Sequence, residues 1–355
     1  MARPLLSVLI DTYNHEKFIE QAIVSVLEQD FPLKEVEILV VDDGSTDRTP
    51  ELLRKFEPRI RNLRKANGGQ ASAFNVGIPQ CQGEIVAFLD GDDWWAKEKL
   101  KTIVPVFEGN PEVGGVGHGF YMVDTEGKVT NTVVPETGRR LNARTPEGAR
   151  LFGHHRGFFG TSRMAYRRGI LEKILPVTEG AVIEADEWLF TLAPALADLM
   201  VLKQPLFYYR LHAGNLFLMS GREEKAHRRK YNSLAALLEN LPGKLRSFGV
   251  SMEIAEPLLA QLKVETDKMR LQLDGGSRWE LYRAEKAGND MFFGQSSLGY
   301  RAFKRLTLLL TLVVPPKQFF RLKQWYGENG LHGIRKWIGN PTNTGHAVEH
   351  PTREG

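Results

Sequence analysis

Hydrophobic and polar positions alternate along the first 120 residues in a repeated unit of a short apolar run, a polar turn and a helical pattern. The apolar runs lie at 7–10, 38–41 and 85–89, with a weaker one near 60–63. In 16–27 the apolar side chains recur every three or four residues, which is typical of an amphipathic helix. This alternation predicts an α/β fold, with a mostly parallel sheet flanked by helices.

The pattern changes after residue 112. Residues 113–134 are strand-like but rich in glycine, a helix is predicted at 146–152, and 201–210 predicts a strand. From residue 221 onward the chain has the pattern of charged amphipathic helices. The sequence therefore predicts the following parts: a first domain at 1–220, with halves 1–112 and 113–220, a helical and basic extension at 221–338, and a flexible tail at 339–355.

The composition is that of an ordinary globular protein, with 42% hydrophobic and 25% charged residues. Its single cysteine, Cys81, excludes an internal disulfide and a zinc site built from several cysteines. The apolar stretch near the N terminus is too short for a signal peptide, and no apolar run approaches the roughly 20 residues needed to span a bilayer. These features predict a cytoplasmic protein.

Positive charge is concentrated near the C terminus. Residues 301–336 contain eight Lys or Arg residues and one Glu, a local net charge of +7 in a chain whose total is +4. Apolar and aromatic residues alternate with these cations, which is typical of a segment lying in a membrane interface. We therefore expect 301–337 to attach the protein to an anionic membrane surface, peripherally and on the inner face of the cell membrane.

A second interpretation of 301–337 is a helical hairpin that packs on the rest of the protein, with its cations in water. Nucleic acid is not expected as a partner, because no recognition motif accompanies the charge.

Acidic residues follow three of the predicted strands, in the segments Asp11-Thr-Tyr-Asn14, Asp42-Asp43-Gly-Ser-Thr-Asp47 and Asp90-Gly-Asp-Asp93. Ligands of open parallel sheets bind outside the carboxyl ends of the strands. Each cluster alone is better explained as a turn or a helix cap than as a functional site. Together they predict a cation site, because closely spaced carboxylates repel one another, and hard oxygen ligands favour Mg²⁺ or Mn²⁺ with positions open to diphosphate oxygens.

Other phosphate sites are excluded by their missing motifs. The first predicted strand is not followed by a glycine-rich dinucleotide fingerprint, and the chain has no glycine-rich loop ending in Gly-Lys-Ser or Gly-Lys-Thr. A Gly-x-Ser-x-Gly hydrolase elbow is also missing. The remaining interpretation is a nucleotide bound through a metal ion and acidic strand ends.

The ordered motifs of the first 120 residues resemble those of glycosyltransferase family 2, which are inverting enzymes of GT-A fold. The matching segments are Ser7-Val-Leu-Ile-Asp-Thr-Tyr-Asn14, Val41-Asp-Asp-Gly-Ser-Thr-Asp47, Asn67-Gly-Gly69, Asn75-Val-Gly77 and Phe88-Leu-Asp-Gly-Asp-Asp93. The resemblance continues more thinly to about residue 215. It implies a GT-A type fold with a C-terminal helical extension, in which 1–112 binds the nucleotide and 113–220 the acceptor.

The resemblance also implies roles for individual residues. Binding of the donor nucleotide falls to Thr12, Tyr13, Asn14, Asp42, Asp43, Asn67, Gly68, Gly69 and Asp90. Asp92 is expected to bind the metal ion directly, with Asp93 close by and His212 near the metal or the diphosphate. The catalytic base is expected at the start of a helix, where Asp186 is favoured over the adjacent Glu187. A helix cap explains a carboxylate at that position equally well.

The predicted reaction is an inverting single displacement that uses Mn²⁺ or Mg²⁺ and moves a sugar from a nucleotide sugar, a UDP-sugar by preference, to a glycan or a lipid-linked acceptor. One alternative is a nucleotidyltransferase, although the glycine-rich basic loop of that class is missing after the first strand. Another is a catalytically inactive scaffold of the same fold at a membrane surface.

Overall fold

The computed structural model describes residues 4–212, 224–293 and 297–328. Its strands are β1 (Leu6–Thr12), β2 (Val36–Asp42), β3 (Arg61–Arg64), β4 (Ile85–Asp90), β5 (Trp94–Trp95), β6 (Val113–Val123), β7 (Val129–Val133), β8 (Arg139–Leu141), β9 (Ala165–Arg167) and β10 (Asp198–Arg210). Its helices are α1 (Ile19–Leu27), α2 (Thr49–Arg54), α3 (Gln70–Gly77), α4 (Lys99–Gly109), α5 (Pro146–Gly153), α6 (Arg168–Ile174), α7 (Asp186–Leu196), α8 (Glu224–Ser247), α9 (Met252–Leu273), α10 (Arg278–Phe293), α11 (Leu298–Leu310) and α12 (Pro316–Glu328).

One mixed sheet carries all these strands, in the order β3-β2-β1-β4-β9-β6-β10-β5, with β7 paired to β6 and β8 to β10. Strands β1 to β4 are mutually parallel. β9 runs antiparallel to both β4 and β6, and so joins the parallel part to the second half of the sheet. The predicted α/β architecture is present, with parallel pairing in the first half and mixed pairing in the second.

Apolar side chains cover both faces of the sheet, because successive residues of a strand point to opposite sides. Val8 and Ile10 of β1 belong to a cluster that includes Ile23 of α1. Leu9 belongs to the opposite cluster, which includes Phe74 of α3. The parallel strands are thus buried on both faces, as the nearly continuous apolar runs of their sequence require.

The helical extension is continuous with this core. Leu234 and Leu237 of α8 and Leu258 and Leu262 of α9 are buried in the same cluster as Leu9. Helices α10 and α12 add a smaller apolar cluster that also contains Leu271 of α9. The predicted boundary at residue 220 and the predicted tail at 339–355 lie outside the described residues. Over the described part of the chain, no helix combines the length and the apolar character needed to cross a membrane.

Candidate active site

The carboxyl ends of the parallel strands place the acidic clusters at one edge of the sheet. In the strand register Asp11 pairs with Asp90, and Thr12 pairs with Asp42. Burial raises the pKa of Asp11 to about 7, and the charge of Asp92 contributes to the same shift. Burial is also the main cause that raises the pKa of Asp90 well above its ordinary value, and the charge of Asp11 is the next largest cause. These carboxylates are therefore close enough to repel one another in a desolvated setting.

Gln70, the first residue of α3, connects this edge to the rest of the site. Its Nε2 donates to Asp90 Oδ1 at 3.2 Å and to Thr161 Oγ1 at 3.2 Å. Its Oε1 accepts a hydrogen bond from the backbone N–H of Ala185 at 2.9 Å, immediately before α7. One neutral side chain therefore joins the strand ends, the segment around Thr161 and the start of α7. The sequence analysis missed Gln70, because it lies outside every acidic motif.

Asp43 organises the loop that precedes α3. Its carboxylate accepts hydrogen bonds from the backbone N–H groups of Gly68 and Gly69, the latter at 2.7 Å, and from the side chains of Lys65 and Asn67. Gly69 has a φ of +83°, and a Cβ there would lie 2.4 Å from the carbonyl oxygen of Val182. Only glycine fits this position without displacing the backbone. The predicted loop 67–69 therefore wraps around a predicted carboxylate.

A second pair of loops lies beside it. Asn14, at a φ of +57°, accepts a hydrogen bond from the N–H of Thr46 at 2.7 Å. Asp42 accepts one from the N–H of Ser45 at 2.8 Å. Asn14 and Asp42 thus hold the loop that follows β2. Tyr13 stays 42% exposed between these anchors, which leaves its ring accessible to a ligand.

Asp92 and His212 form a pair at the open side of the edge. His212 Nε2 lies 3.0 Å from Asp92 Oδ2, and His15 Nε2 lies 3.9 Å from the same oxygen. Burial alone would raise the pKa of Asp92, but His15 and His212 outweigh burial and lower it. The anionic oxygen of Asp92 is the type of ligand that suits Mn²⁺ or Mg²⁺.

Asp93 has different surroundings from its neighbour. It is 2% exposed, its Oδ2 accepts a hydrogen bond from Ser162 Oγ at 2.7 Å, and its Oδ1 accepts one from the backbone N–H of Arg210 at 3.1 Å. Both carboxylate oxygens of Asp93 are thus hydrogen-bonded to other groups of the protein. Asp93 links the turn after β4 to the end of β10, which brings His212 to Asp92.

The fit of a metal ion rests on the edge as a whole. Asp11 Oδ1 is buried and has no hydrogen-bond partner among the described residues, so this oxygen is available to an ion or a hydrogen-bond donor. In the described stretches no group of three or more His, Cys, Asp and Glu side chains is arranged to hold a metal ion by itself. The residues present therefore fit an ion that takes its other ligands from a diphosphate or water, which is the usual mode of Mg²⁺.

Asp186 opens α7 on the other side of Gln70. Its Oδ2 accepts a hydrogen bond from the N–H of Thr161 at 3.1 Å. Burial raises the pKa of Asp186, and the guanidinium of Arg163 is the largest influence in the opposite direction. Asp186 also contributes to the raised pKa values of Asp11 and Asp90, so it lies near the acidic edge.

Glu187, the adjacent candidate, is engaged in the protein interior. Its Oε1 contacts Arg156 Nη2 in a buried ion pair and accepts a hydrogen bond from Thr191 Oγ1 at 2.9 Å. Glu184 pairs with Lys230 of α8 at 2.5 Å. Asp186 is thus the carboxylate at the start of α7 that has no cationic side chain bonded to it in the described structure.

Two cationic side chains near the site also escaped the sequence analysis. The guanidinium of Arg163 lies 4.7 Å from the ring centre of Phe120. Arg210 stacks over Trp94 at 4.3 Å and donates to the carbonyl oxygen of Asp92 at 3.1 Å. A glycine-bounded segment at 157–162 was the only sequence signal near Arg163.

An α/β sheet with acidic strand ends at one edge, and a helix opened by a carboxylate beside them, defines the class of GT-A type transferases. Residues 7–175 match the model of the family described as Glycosyl transferase family 2. An uncharacterized glycosyltransferase of Nostoc sp. is 35% identical over 215 residues, which cover 59% of this chain and 66% of that protein. The matched region, residues 7–175, thus belongs to glycosyltransferase family 2, and the chain spans just under two thirds of this relative's length.

Two solved structures have a similar fold. Staphylococcus aureus TarS 1-349 in complex with UDP has a TM-score of 0.51 and 20% identity, with 90% of this chain and 91% of that chain covered. The mannosyltransferase PcManGT from Pyrobaculum calidifontis, in complex with GDP-Man and Mn²⁺, has a TM-score of 0.52 and 20% identity, with 92% and 85% covered. These similarities confirm the predicted GT-A type fold with a C-terminal helical region.

Proposed function

We propose that this protein transfers a sugar from a nucleotide sugar to a hydroxyl group of a glycan or a lipid-linked acceptor, with inversion at the anomeric carbon. The observation that supports the proposal is that Gln70 bonds both Asp90, at the acidic strand ends, and the backbone N–H of Ala185, just before Asp186. Asp92, beside His212, lies at the open strand edge, and Asp186 lies at the start of α7. A donor diphosphate at Asp92 and an acceptor hydroxyl at Asp186 would suit a single displacement.

The donor would lie across the loops held by Asp42, Asp43 and Asn14. Tyr13 would stack on the nucleobase, since its ring is exposed and an aromatic face suits a planar base. Thr12 and Asp90 line the strand ends below it. Loop 67–69 would pass close to the nucleotide, because its glycines present backbone in place of side chains. The contacts of Asp43 with this loop support a positioning role for its carboxylate.

Asp92 and His212 would hold Mn²⁺ or Mg²⁺. A bound divalent ion supplies electrostatic stabilisation of the negative charge that develops on the departing diphosphate. Asp93 would orient this pair from below, since both of its oxygens bind Ser162 and Arg210. Support for a metal comes from the acidic edge and from the similarly folded mannosyltransferase, whose structure contains Mn²⁺.

Asp186 would accept the proton of the acceptor hydroxyl. Its raised pKa makes it a stronger base than an ordinary aspartate, and the N–H of Thr161 orients the carboxylate. Glu187 would support α7 through Arg156. The nucleophile is the acceptor oxygen itself, so no residue of the chain needs to form a covalent intermediate.

We further propose a UDP-sugar as the donor, an acceptor in the biosynthesis of a cell-envelope polysaccharide, and a location on the cytoplasmic face of the membrane. UDP and GDP-Man are bound in the two similarly folded structures, so the choice of base needs a direct test. TarS of Staphylococcus aureus is named as a poly(ribitol-phosphate) beta-N-acetylglucosaminyltransferase, which supports a polymeric acceptor.

The test is a panel of UDP, GDP, CDP and their sugars, each with Mn²⁺, Mg²⁺ or a chelator, measured as protection against thermal unfolding. A ligand that binds only the folded state raises the unfolding temperature. We expect protection by UDP compounds that disappears with the chelator. Protection by GDP compounds instead would correct the donor, and no protection by any nucleotide would favour the inactive scaffold.

A further inference from the structure

Helix α11 directs its apolar side chains to solvent. Leu306, Leu309 and Leu310 of α11 and Val313 in the turn that follows it, called here the α11 stripe, lie three or four residues apart and are between 49% and 69% exposed. Leu298, at the start of the same helix, is 80% exposed. A surface helix normally turns such a stripe toward the core, so α11 is inverted relative to the usual arrangement. An exposed apolar patch of this kind marks a surface that another molecule covers.

Polar side chains on the opposite side of α11, and in the turn after it, face the protein. Thr311 is fully buried, and its hydroxyl donates to the carbonyl oxygen of Leu308 at 2.6 Å. The hydroxyl of Thr307 donates to the carbonyl oxygen of Lys304 at 2.9 Å, and the ammonium of Lys304 lies 4.2 Å from the ring centre of Phe293 on α10. The inner face is thus satisfied, and the orientation of α11 is held by contacts with α10.

Cations accompany the stripe, and acids do not. Residues 298–325 contain six Lys or Arg residues and no Asp or Glu. Arg305 is exposed on the same face of α11, and Lys317 and Arg321 are exposed on α12. An apolar stripe among cations matches the boundary between anionic headgroups and acyl chains. A second copy of the chain would bring two cationic surfaces together, which charge repulsion opposes.

We propose that the α11 stripe docks this protein on an anionic membrane surface, with the helix lying in the plane of the interface. The 13 residues of α11 span about 20 Å, whereas the hydrocarbon core of a bilayer is about 30 Å thick. A helix of this length would lie parallel to the membrane surface, with the side chains of the stripe inserted into the lipid. The inference stands apart from the transfer reaction, because vesicle binding is measured without donor or acceptor.

The test is co-sedimentation of the full chain with vesicles of phosphatidylcholine alone or with phosphatidylglycerol added. The stripe variant is Leu309→Ser with Val313→Ser. The control variant is Leu33→Ser with Val129→Ser, which changes two exposed apolar residues far from α11. We expect the wild type and the control to bind anionic vesicles, and the stripe variant to bind them at least about tenfold more weakly. Circular dichroism should give all three proteins the same unfolding temperature.

A charge variant separates lipid headgroups from apolar attraction alone. Arg305→Glu is expected to weaken binding to anionic vesicles and to leave the weak binding to neutral vesicles unchanged. The proposal is overturned if the wild type binds neither vesicle, or if the stripe and control variants bind equally. It is also overturned if light scattering shows a wild-type dimer that the stripe variant loses, since the α11 stripe would then bind a second copy of the chain. Vesicle binding by a chain ending at Glu328 but not by the full chain would overturn it as well, since the residues beyond 328 would then cover the stripe.

Discussion

Asp186 and Glu187 are adjacent in the sequence and yet differ in what surrounds them. Asp186 accepts a hydrogen bond from the backbone N–H of Thr161, whereas Glu187 is bonded to the side chains of Arg156 and Thr191 in the interior. Asp186→Asn is expected to lower the rate of sugar transfer by about 10²- to 10⁴-fold with little change in donor affinity. Glu187→Gln is expected to lower the free energy of unfolding by about 3 kcal/mol, because it leaves Arg156 buried without its anion.

The two variants are compared by release of nucleoside diphosphate and by urea unfolding. If the Asp186→Asn protein is stable and active while the Glu187→Gln protein is stable and inactive, the catalytic base is Glu187 and not Asp186.

Arg163 gives the base a test by pH. Burial raises the pKa of Asp186, and Arg163 opposes that rise. A base acts in its deprotonated form, so the rate falls as the pH drops through the pKa of Asp186. Arg163→Gln removes the opposing cation, so we expect the acidic limb of the kcat/KM profile to move to higher pH, and Arg163→Lys to return it toward the wild type. An unchanged acidic limb in Arg163→Gln would exclude this coupling.

The sequence could predict the acidic strand ends, because carboxylates that follow apolar runs signal a sheet edge by their position alone. It could not predict Gln70, Ser162 or Arg163. Their roles depend on contacts such as those of Gln70 with Asp90 and Thr161, which join segments that are far apart in the chain. The resemblance distinguished Asp92 from Asp93, but no motif could predict the bonds of Asp93 to Ser162 and Arg210.

Helix α8 contacts the segment that precedes Asp186, the proposed base. Lys230 pairs with Glu184, and Ser233 Oγ accepts a hydrogen bond from the N–H of Ile183 at 3.3 Å. Gly180 lies against Ala236, where an added Cβ would come within 2.5 Å of the alanine methyl group. The helical extension therefore contacts the approach to Asp186 over several residues.

Removing the Lys230 contact should disturb the base more than the donor site. Lys230→Met is expected to lower the turnover number about tenfold, because Glu184 loses its cation and the turn before α7 loses an anchor. UDP affinity should stay within about twofold of the wild type. The matched control is Lys225→Met, on an exposed position of the same helix. Equal turnover numbers for the two variants would show that α8 does not position the base.

At the scale of elements, the sequence predicted the long helices and strands better than the short ones. The runs behind β1, β2 and β4 are long enough to show a pattern, and α5 and α7 were also predicted. Strands β5, β8 and β9 contain two or three residues each, too few to show a period of two. β9 is the strand that changes the sheet from parallel to mixed, so the sequence did not predict how the second half of the sheet joins the parallel half.

The described residues combine an acidic sheet edge, a segment before Asp186 that contacts the extension, and a cationic surface on α11 and α12. The extension shares its core with the sheet through α8 and α9, so it forms one body with the parallel strands. The basic charge that the sequence placed at 301–336 accompanies the α11 stripe as far as residue 328, where the described residues end. The charge of the sequence predicted a cationic surface in this region, but only the structure shows that its leucines face outward.

The measurement that tests the central claim most directly is isothermal titration of UDP into the wild type, Asp92→Asn and Asp290→Asn, each with Mn²⁺ and with a chelator. Asp290 is an exposed carboxylate paired with Lys286, and so serves as the matched control. The account predicts binding that requires Mn²⁺, at least about tenfold weaker in Asp92→Asn because an anionic ligand is lost, and unchanged in Asp290→Asn. Equal UDP affinity in Asp92→Asn and the wild type, or full affinity in the chelator, would contradict a donor site built on a metal ion at this sheet edge.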